Sequence, residues 1–121
     1  MNIEKILNKT TLLKNKLINK IVNELQLLIT EDITAIRWEQ YTPYFNDGSE
    51  CHFHVYEPSL LVDNETVYSY SMSRKYESTL TTVEDLILSD ELTDIMLFLF
   101  GDHVQVTVYK NSYTIDPYDH E

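Results

Sequence analysis

The sequence predicts a single α+β domain: one long N-terminal helix, an antiparallel β-sheet, and a second helical segment before a C-terminal hairpin, with helices covering one sheet face. Three observations predict it. Apolar residues in the first thirty positions recur at spacings of three and four, the period changes to two from residue 32, and a second helical run ending at a glycine separates the last alternating segments from the rest. The chain has 121 residues, 43% of them hydrophobic and 24% charged, which suits one globular domain with one core and neither a fibrous nor a disordered chain. Residues 1–121 are therefore read as one domain, a basic amphipathic helix in 1–30 followed by an acidic sheet-plus-helix body in 31–121.

The first helix rests on Ile3, Ile6, Leu7, Leu13, Leu17, Ile21, Leu25 and Leu28, with Thr10 filling the gap and Leu12, Ile18, Val22 and Ile29 widening the apolar face. A face that wide calls for cover by a sheet or by a second copy of the same helix, so a homodimer through this helix is one expectation. Residues 33–41 then set Ile36, Trp38 and Gln40 against Ala35, Arg37, Glu39 and Tyr41, a strand pattern rich in β-branched and aromatic residues. Pro43 and Asp47-Gly48 mark residues 42–49 as a turn region. Cys51, Phe53 and Val55 alternate with His52, His54 and Tyr56 in a second strand, expected to fold back on the first as a hairpin. Pro58 ends it. Residues 60–62 and 66–73 read as two further strands about a turn at Asp63-Asn64-Glu65, with Tyr68 and Tyr70 on one face.

Thr81 with Glu84 three residues later has the spacing of a capping box, which predicts a helix starting there and running through Val83, Leu86, Ile87, Leu92, Ile95, Met96 and Leu99 to a stop at Gly101, with a division at Ser89-Asp90 allowed. Residues 103–109 alternate Val104, Val106 and Val108 with polar positions; Lys110-Asn111-Ser112 turns the chain into a short strand at 113–115, and residues 116–121 form a polar tail.

Charge excludes some functions. Twenty acidic residues against nine Lys and Arg give −11, which opposes direct binding to nucleic acid or to an anionic membrane and favours a basic partner. The distribution is uneven: five lysines and two glutamates put +3 on the first thirty residues, leaving −14 on the other ninety-one. No run of about twenty apolar residues is available to span a bilayer, no secretory cleavage pattern follows the first apolar stretch, and the single Cys51 fits a reducing compartment, so a cytoplasmic location is expected.

Few residues point to chemistry. His52 and His54, one residue apart on a strand, share a face, and His103 would join them as a third metal ligand only from an adjacent strand; no metal or cofactor is expected. Cys51 and His52 are adjacent, so they face opposite ways and do not form a thiol–base pair; no catalytic residue is assigned. Two groups suit protein recognition instead. Tyr41, Tyr44, Tyr68 and Tyr70 crowd the sheet half, where rings supply contact area beside carboxylates. Asp90, Glu91 and Asp94 form a negative ridge, away from the capping-box turn, able to imitate the spacing of backbone phosphates. Two other classes stay open. A small-ligand or nucleotide-signal binder would depend on Arg37, Arg74, Lys75 and Lys110, and a metal-dependent hydrolase would need His52, His54 and an acid to converge.

Trp38-Glu39-Gln40-Tyr41-Thr42-Pro43-Tyr44-Phe45-Asn46-Asp47-Gly48, with Cys51-His52-Phe53-His54-Val55, resembles a W-x-Q-Y-T-P-Y-F-N-D-G-x-x-C-x-F-x-V segment in a family of small tailed-bacteriophage proteins. Phe100-Gly101-Asp102-His103-Val104-Gln105-Val106-Thr107-Val108 and the closing Tyr118-Asp119-His120 resemble the C-terminal end of the same proteins. Lys110-Asn111-Ser112 departs from that pattern, where a Gly-containing turn is commoner, and the N-terminal helix lies outside the resemblance. The resemblance implies a virus-encoded protein in the cytoplasm of an infected bacterium, and by analogy with other small acidic phage proteins it implies a host protein with a basic surface as partner. It implies no activity and no catalytic residue.

Overall fold

The computed structural model describes residues 2–44, 51–68 and 74–119. Its elements are α1 (Ile3–Gln26), β1 (Ile33–Tyr41), β2 (His54–Val55), β3 (Ser59–Val62), β4 (Glu65–Val67), α2 (Glu77–Ile87), a 3-10 turn (Asp90–Leu92), α3 (Thr93–Phe100), β5 (Val104–Tyr109) and β6 (Tyr113–Pro117). This is the expected α+β arrangement. The sheet runs β4-β3-β1-β5-β6 with every pairing antiparallel, and β2 adds to β1 beyond the end of β3.

β1 is central because its even positions belong inside. Ile36, Trp38 and Gln40 are fully buried and lie opposite Val108, Val106 and Val104 of β5. Leu60 and Val62 of β3 complete this face, against which pack Ile18, Val22 and Leu25 of α1, Leu80, Val83 and Ile87 of α2, and Met96, Leu99 and Phe100 of α3. The Phe100 ring meets Trp38 edge to face at 5.5 Å. α1, α2 and α3 thus cover one face of the sheet, and beyond the register shift between Ile33 and Ala35 the odd-numbered residues of β1 point from the other, while Ile33 joins the core.

The two-residue loop of the β3–β4 hairpin carries Asp63 and Asn64 at φ 51° and 67°, the left-handed pair that a tight hairpin of this twist requires and that Asp and Asn tolerate. Gln26 Nε2 donates to the Tyr109 carbonyl at 3.0 Å and Lys110 Nζ to the Ile29 carbonyl at 3.2 Å, fixing the C-terminal end of α1 to the far end of β5.

Several sequence expectations need correction. The predicted helix start at Thr81 is too late: α2 begins at Glu77 and Thr81 lies inside it, because fully buried Leu80 belongs to the same core stripe as Val83 and Ile87. The capping box does not form, and α2 starts at Tyr76 with no side-chain cap. The allowed division at Ser89-Asp90 does occur, Ser89 being extended at φ −59°, ψ 131°. The second strand shortens from 51–56 to His54–Val55, and the last one lengthens to Pro117. The fifth strand starts at Val104 rather than residue 103, since His103 sits at φ 55°. The turn expected at Asp47-Gly48 and most of the expected 66–73 strand lie outside the described residues.

Only part of α1 is covered. Its second half packs in the core, whereas Ile3, Leu7 and Leu13 are 72%, 59% and 54% exposed. Among the described residues no helix is long and apolar enough to cross a membrane.

Candidate interaction surface

The sheet face opposite the helices carries a row of tyrosines. Tyr41, at the end of β1, stacks on Tyr56 at 4.2 Å between ring centroids and on Tyr118 at 5.6 Å. His54 meets Tyr56 edge-on at 5.9 Å and extends the row.

Backbone pairing sets each ring. Gln40 and Tyr41 pair with Val55 and His54, and the Tyr56 N–H donates to the Glu39 carbonyl at 2.9 Å, which carries the ladder one residue past β2. On the other side the Tyr118 N–H donates to the His103 carbonyl at 2.8 Å, extending the β5–β6 ladder past Pro117. The residue of β5 facing Tyr41 would be His103, and in an extended conformation its side chain would stand between Tyr41 and Tyr118. Its left-handed backbone turns it away, to stack on the exposed Tyr44 at 5.0 Å. Tyr118 can then reach Tyr41.

Asp102 holds this bend. Its carboxylate accepts the Thr42 N–H at 2.7 Å, the Thr42 hydroxyl at 2.7 Å and the His103 N–H at 2.9 Å, tying the end of β1 to the α3–β5 connection. Burial pushes the Asp102 carboxyl up, but the hydrogen bonds from Thr42 and the neighbouring His103 outweigh it and hold the carboxyl below its ordinary value. Below the row, Gln40 does similar work inside the core. Its amide donates to the carbonyls of Met96 at 2.9 Å and Gly101 at 2.8 Å, tying the C-terminal end of α3 to the central strand, while its oxygen accepts the Trp38 indole N–H at 2.9 Å.

The row is a partly desolvated place with a carboxylate in it. Burial raises Glu39, against the pull of Arg37 next along the same face. Burial, and then a hydrogen bond with the Tyr41 side chain, push the Tyr56 phenol up to about 12. Burial also raises Tyr118, with Glu39, Tyr41 and Tyr68 adding to it, so Tyr68 belongs to the same neighbourhood. Arg37 Nε donates to Thr107 Oγ1 at 3.3 Å and continues the polar face across β1 and β5.

Of the residues predicted for partner contact, Tyr41 is the centre of the row, Tyr68 lies beside it, Tyr44 stands at its edge on His103, and Tyr70 falls outside the described residues. Asp90 and Glu91 in the 3-10 turn and Asp94 in the first turn of α3 are exposed, but they belong to the helical layer, on the other side of the sheet. No single flat partner surface touches both sets. The ridge lies at a helix start of its own, because Asp94 occupies the first turn of α3. His52 and His54 are exposed as their alternation predicts, and His103 is diverted to Tyr44 and to Asp102, whose Oδ1 is 3.7 Å from Nε2. Among the described residues no group of three His, Cys, Asp or Glu side chains is placed to hold a metal ion.

Tyr118 was hidden in the sequence by its reading as tail. The signal was available in the alternation Thr114, Asp116, Tyr118, which continues the last strand through Pro117. Glu39, Gln40 and Asp102 gave no comparable sign, since their roles arise from partners 17 to 61 residues away in the chain, namely Tyr56, Gly101 and Thr42. Compared with protein-family models, with curated proteins and with solved structures, the chain matches none.

Proposed function

We propose that this protein is a non-enzymatic phage accessory protein that binds, and thereby inhibits or redirects, a basic surface of a host bacterial protein, and that the tyrosine row is its contact face. The observation that supports this reading most directly is the juxtaposition of Tyr41, Tyr56 and Tyr118 with the half-buried carboxylate of Glu39 on the sheet face opposite α1, α2 and α3. An arginine side chain matches it better than lysine does. Its planar guanidinium stacks on tyrosine rings, its fork accepts a carboxylate partner, and it loses hydration more readily. A cation brought to Glu39 also relieves a carboxylate that burial holds in a strained balance, which favours the ionised form once the partner is seated. The overall charge of −11 adds long-range attraction to any basic surface and speeds encounter.

Calorimetric titration with an arginine-rich peptide and with a lysine-rich peptide of equal charge tests the reading. The arginine peptide binds more tightly, Tyr41→Ala and Glu39→Gln each weaken it about tenfold, and added salt weakens it further. Equal affinity of the two peptides together with indifference to both substitutions would remove the row from the proposal. Where arginine recognition holds, the same two variants serve as controls in capture of the partner from bacterial extract.

A further inference from the structure

We infer that two copies of the chain dock reciprocally, the overhanging first half of α1 in each copy lying against the exposed face of α3 in the other. The starting point is a discontinuity along one helix. The apolar face that buries Ile18, Val22 and Leu25 in the second half of α1 is flanked by the partly buried row Ile21 and Leu17, and that row continues into the first half through Leu13, Ile6 and Ile3, with Leu7 beside it, where all four face solvent. A lone helix of that length is marginal in water, so an apolar arm of this kind holds its shape best when something covers the stripe.

Charge and side-chain chemistry identify the cover. Lys5, Lys9 and Lys16 follow one another at spacings of four and seven along one edge of the stripe. Pairing two such arms side by side would bring lysine rows together, whereas the rest of the chain offers a strongly negative surface. Within that surface α3 presents Ile95, Leu97 and Phe98 to solvent, Phe98 being 46% exposed, and Glu91 and Asp94 are exposed on the same segment. Exposed apolar residues interspersed with acids answer exposed apolar residues flanked by lysines. The chain already makes one contact of this kind within a single copy, where Lys14 Nζ lies 5.7 Å from the centre of the Phe98 ring. A two-fold axis satisfies both arms at once and closes the assembly at two copies. The tyrosine row lies on the opposite sheet face and stays clear, so this inference does not depend on the function proposed above.

Light scattering across a concentration series, coupled to size separation, tests it. The wild-type chain is expected to reach twice its monomer mass, with the association weakened by salt. In one variant Lys5, Lys9 and Lys16 become Glu; in a second, Glu91 and Asp94 become Lys. Each alone is expected to associate at least tenfold more weakly, and an equimolar mixture to restore the two-chain mass, because each arm then meets an opposite charge. A wild-type chain that stays monomeric, a second variant that dimerises like wild type through arm-on-arm pairing, or a mixture that fails to recover while both variants show native circular dichroism would each overturn the inference. Should the reversal at Asp94 unfold α3, Leu13→Ser and Phe98→Ser reduce exposed apolar surface without reversing a charge, and both must lower the association if it holds.

Discussion

At Asp102 one carboxylate decides where several rings go. It accepts three hydrogen bonds, two of them from Thr42, and so clamps the backbone in which His103 turns aside and Tyr118 meets Tyr41. Charge-assisted bonds of this kind are the stronger class, though partial exposure tempers them here. Asp102→Asn is expected to destabilise the fold by about 1 kcal/mol, measured by urea unfolding, and to disturb the tyrosine near-UV circular dichroism as Tyr118 and Tyr44 lose their setting. The pH dependence has a definite sign. The folded carboxyl titrates below its unfolded value, so its stabilisation is present in full above the ordinary aspartate range and is lost as pH falls through the depressed folded value. Acid unfolding of the Asn variant should therefore lack that contribution, and the wild-type and variant stabilities should converge as pH falls below it. Convergence at neutral pH would show that the carboxylate does not stabilise this bend.

Among the elements, α3 depends most on a residue outside itself. It has only eight residues. Gln40, reaching from the central strand, holds it at both sides of its last turn, donating to the Met96 carbonyl within the helix and to the Gly101 carbonyl just past it, and accepts the Trp38 indole N–H. Among the described residues no buried side-chain nitrogen or oxygen lacks a partner, so this network is complete. Gln40→Leu keeps the volume and removes every one of those bonds, leaving the Trp38 N–H buried and unpaired. We expect a loss of about 2–4 kcal/mol in chemical denaturation, with a shift in tryptophan fluorescence from the altered indole environment. A change below about 0.5 kcal/mol would mean that α3 is held by apolar packing alone. The strand alternation put Gln40 on one face with Ile36 and Trp38 from sequence, but that placement gives no hint that its partners are at the end of a helix 56 and 61 residues further on.

For the molecule as a whole, charge and layering divide the labour. The helical layer carries the exposed ridge of Asp90, Glu91 and Asp94, and the opposite face of the sheet carries the tyrosines. Replacing the three acids by their amides lowers the magnitude of a net charge of −11 and relieves self-repulsion, while it forfeits the small helix-start contribution of Asp94. These effects oppose each other, so thermal unfolding should move by no more than about 4 °C. A fall well beyond that, read by differential scanning calorimetry, would show the ridge to be structural.

The sequence by itself determined the fold class, the long first helix, the first strand with Ile36, Trp38 and Gln40 on one face, the β3–β4 turn and the helix stop at Gly101. Each of these is written in a local period or in a residue whose backbone preferences act within a few positions. Only the tertiary structure decided where α2 begins, how much of α1 the body covers, and which tyrosines meet. Those outcomes depend on what lies opposite each residue: Leu80 draws α2 back to Glu77 because the core reaches it, the first half of α1 overhangs a body that does not reach it, and Tyr41, Tyr56 and Tyr118 converge because two ladders and a turned-aside histidine bring distant segments to one face. Periodicity tells a side chain which way to point, and only the packed chain supplies what it finds there.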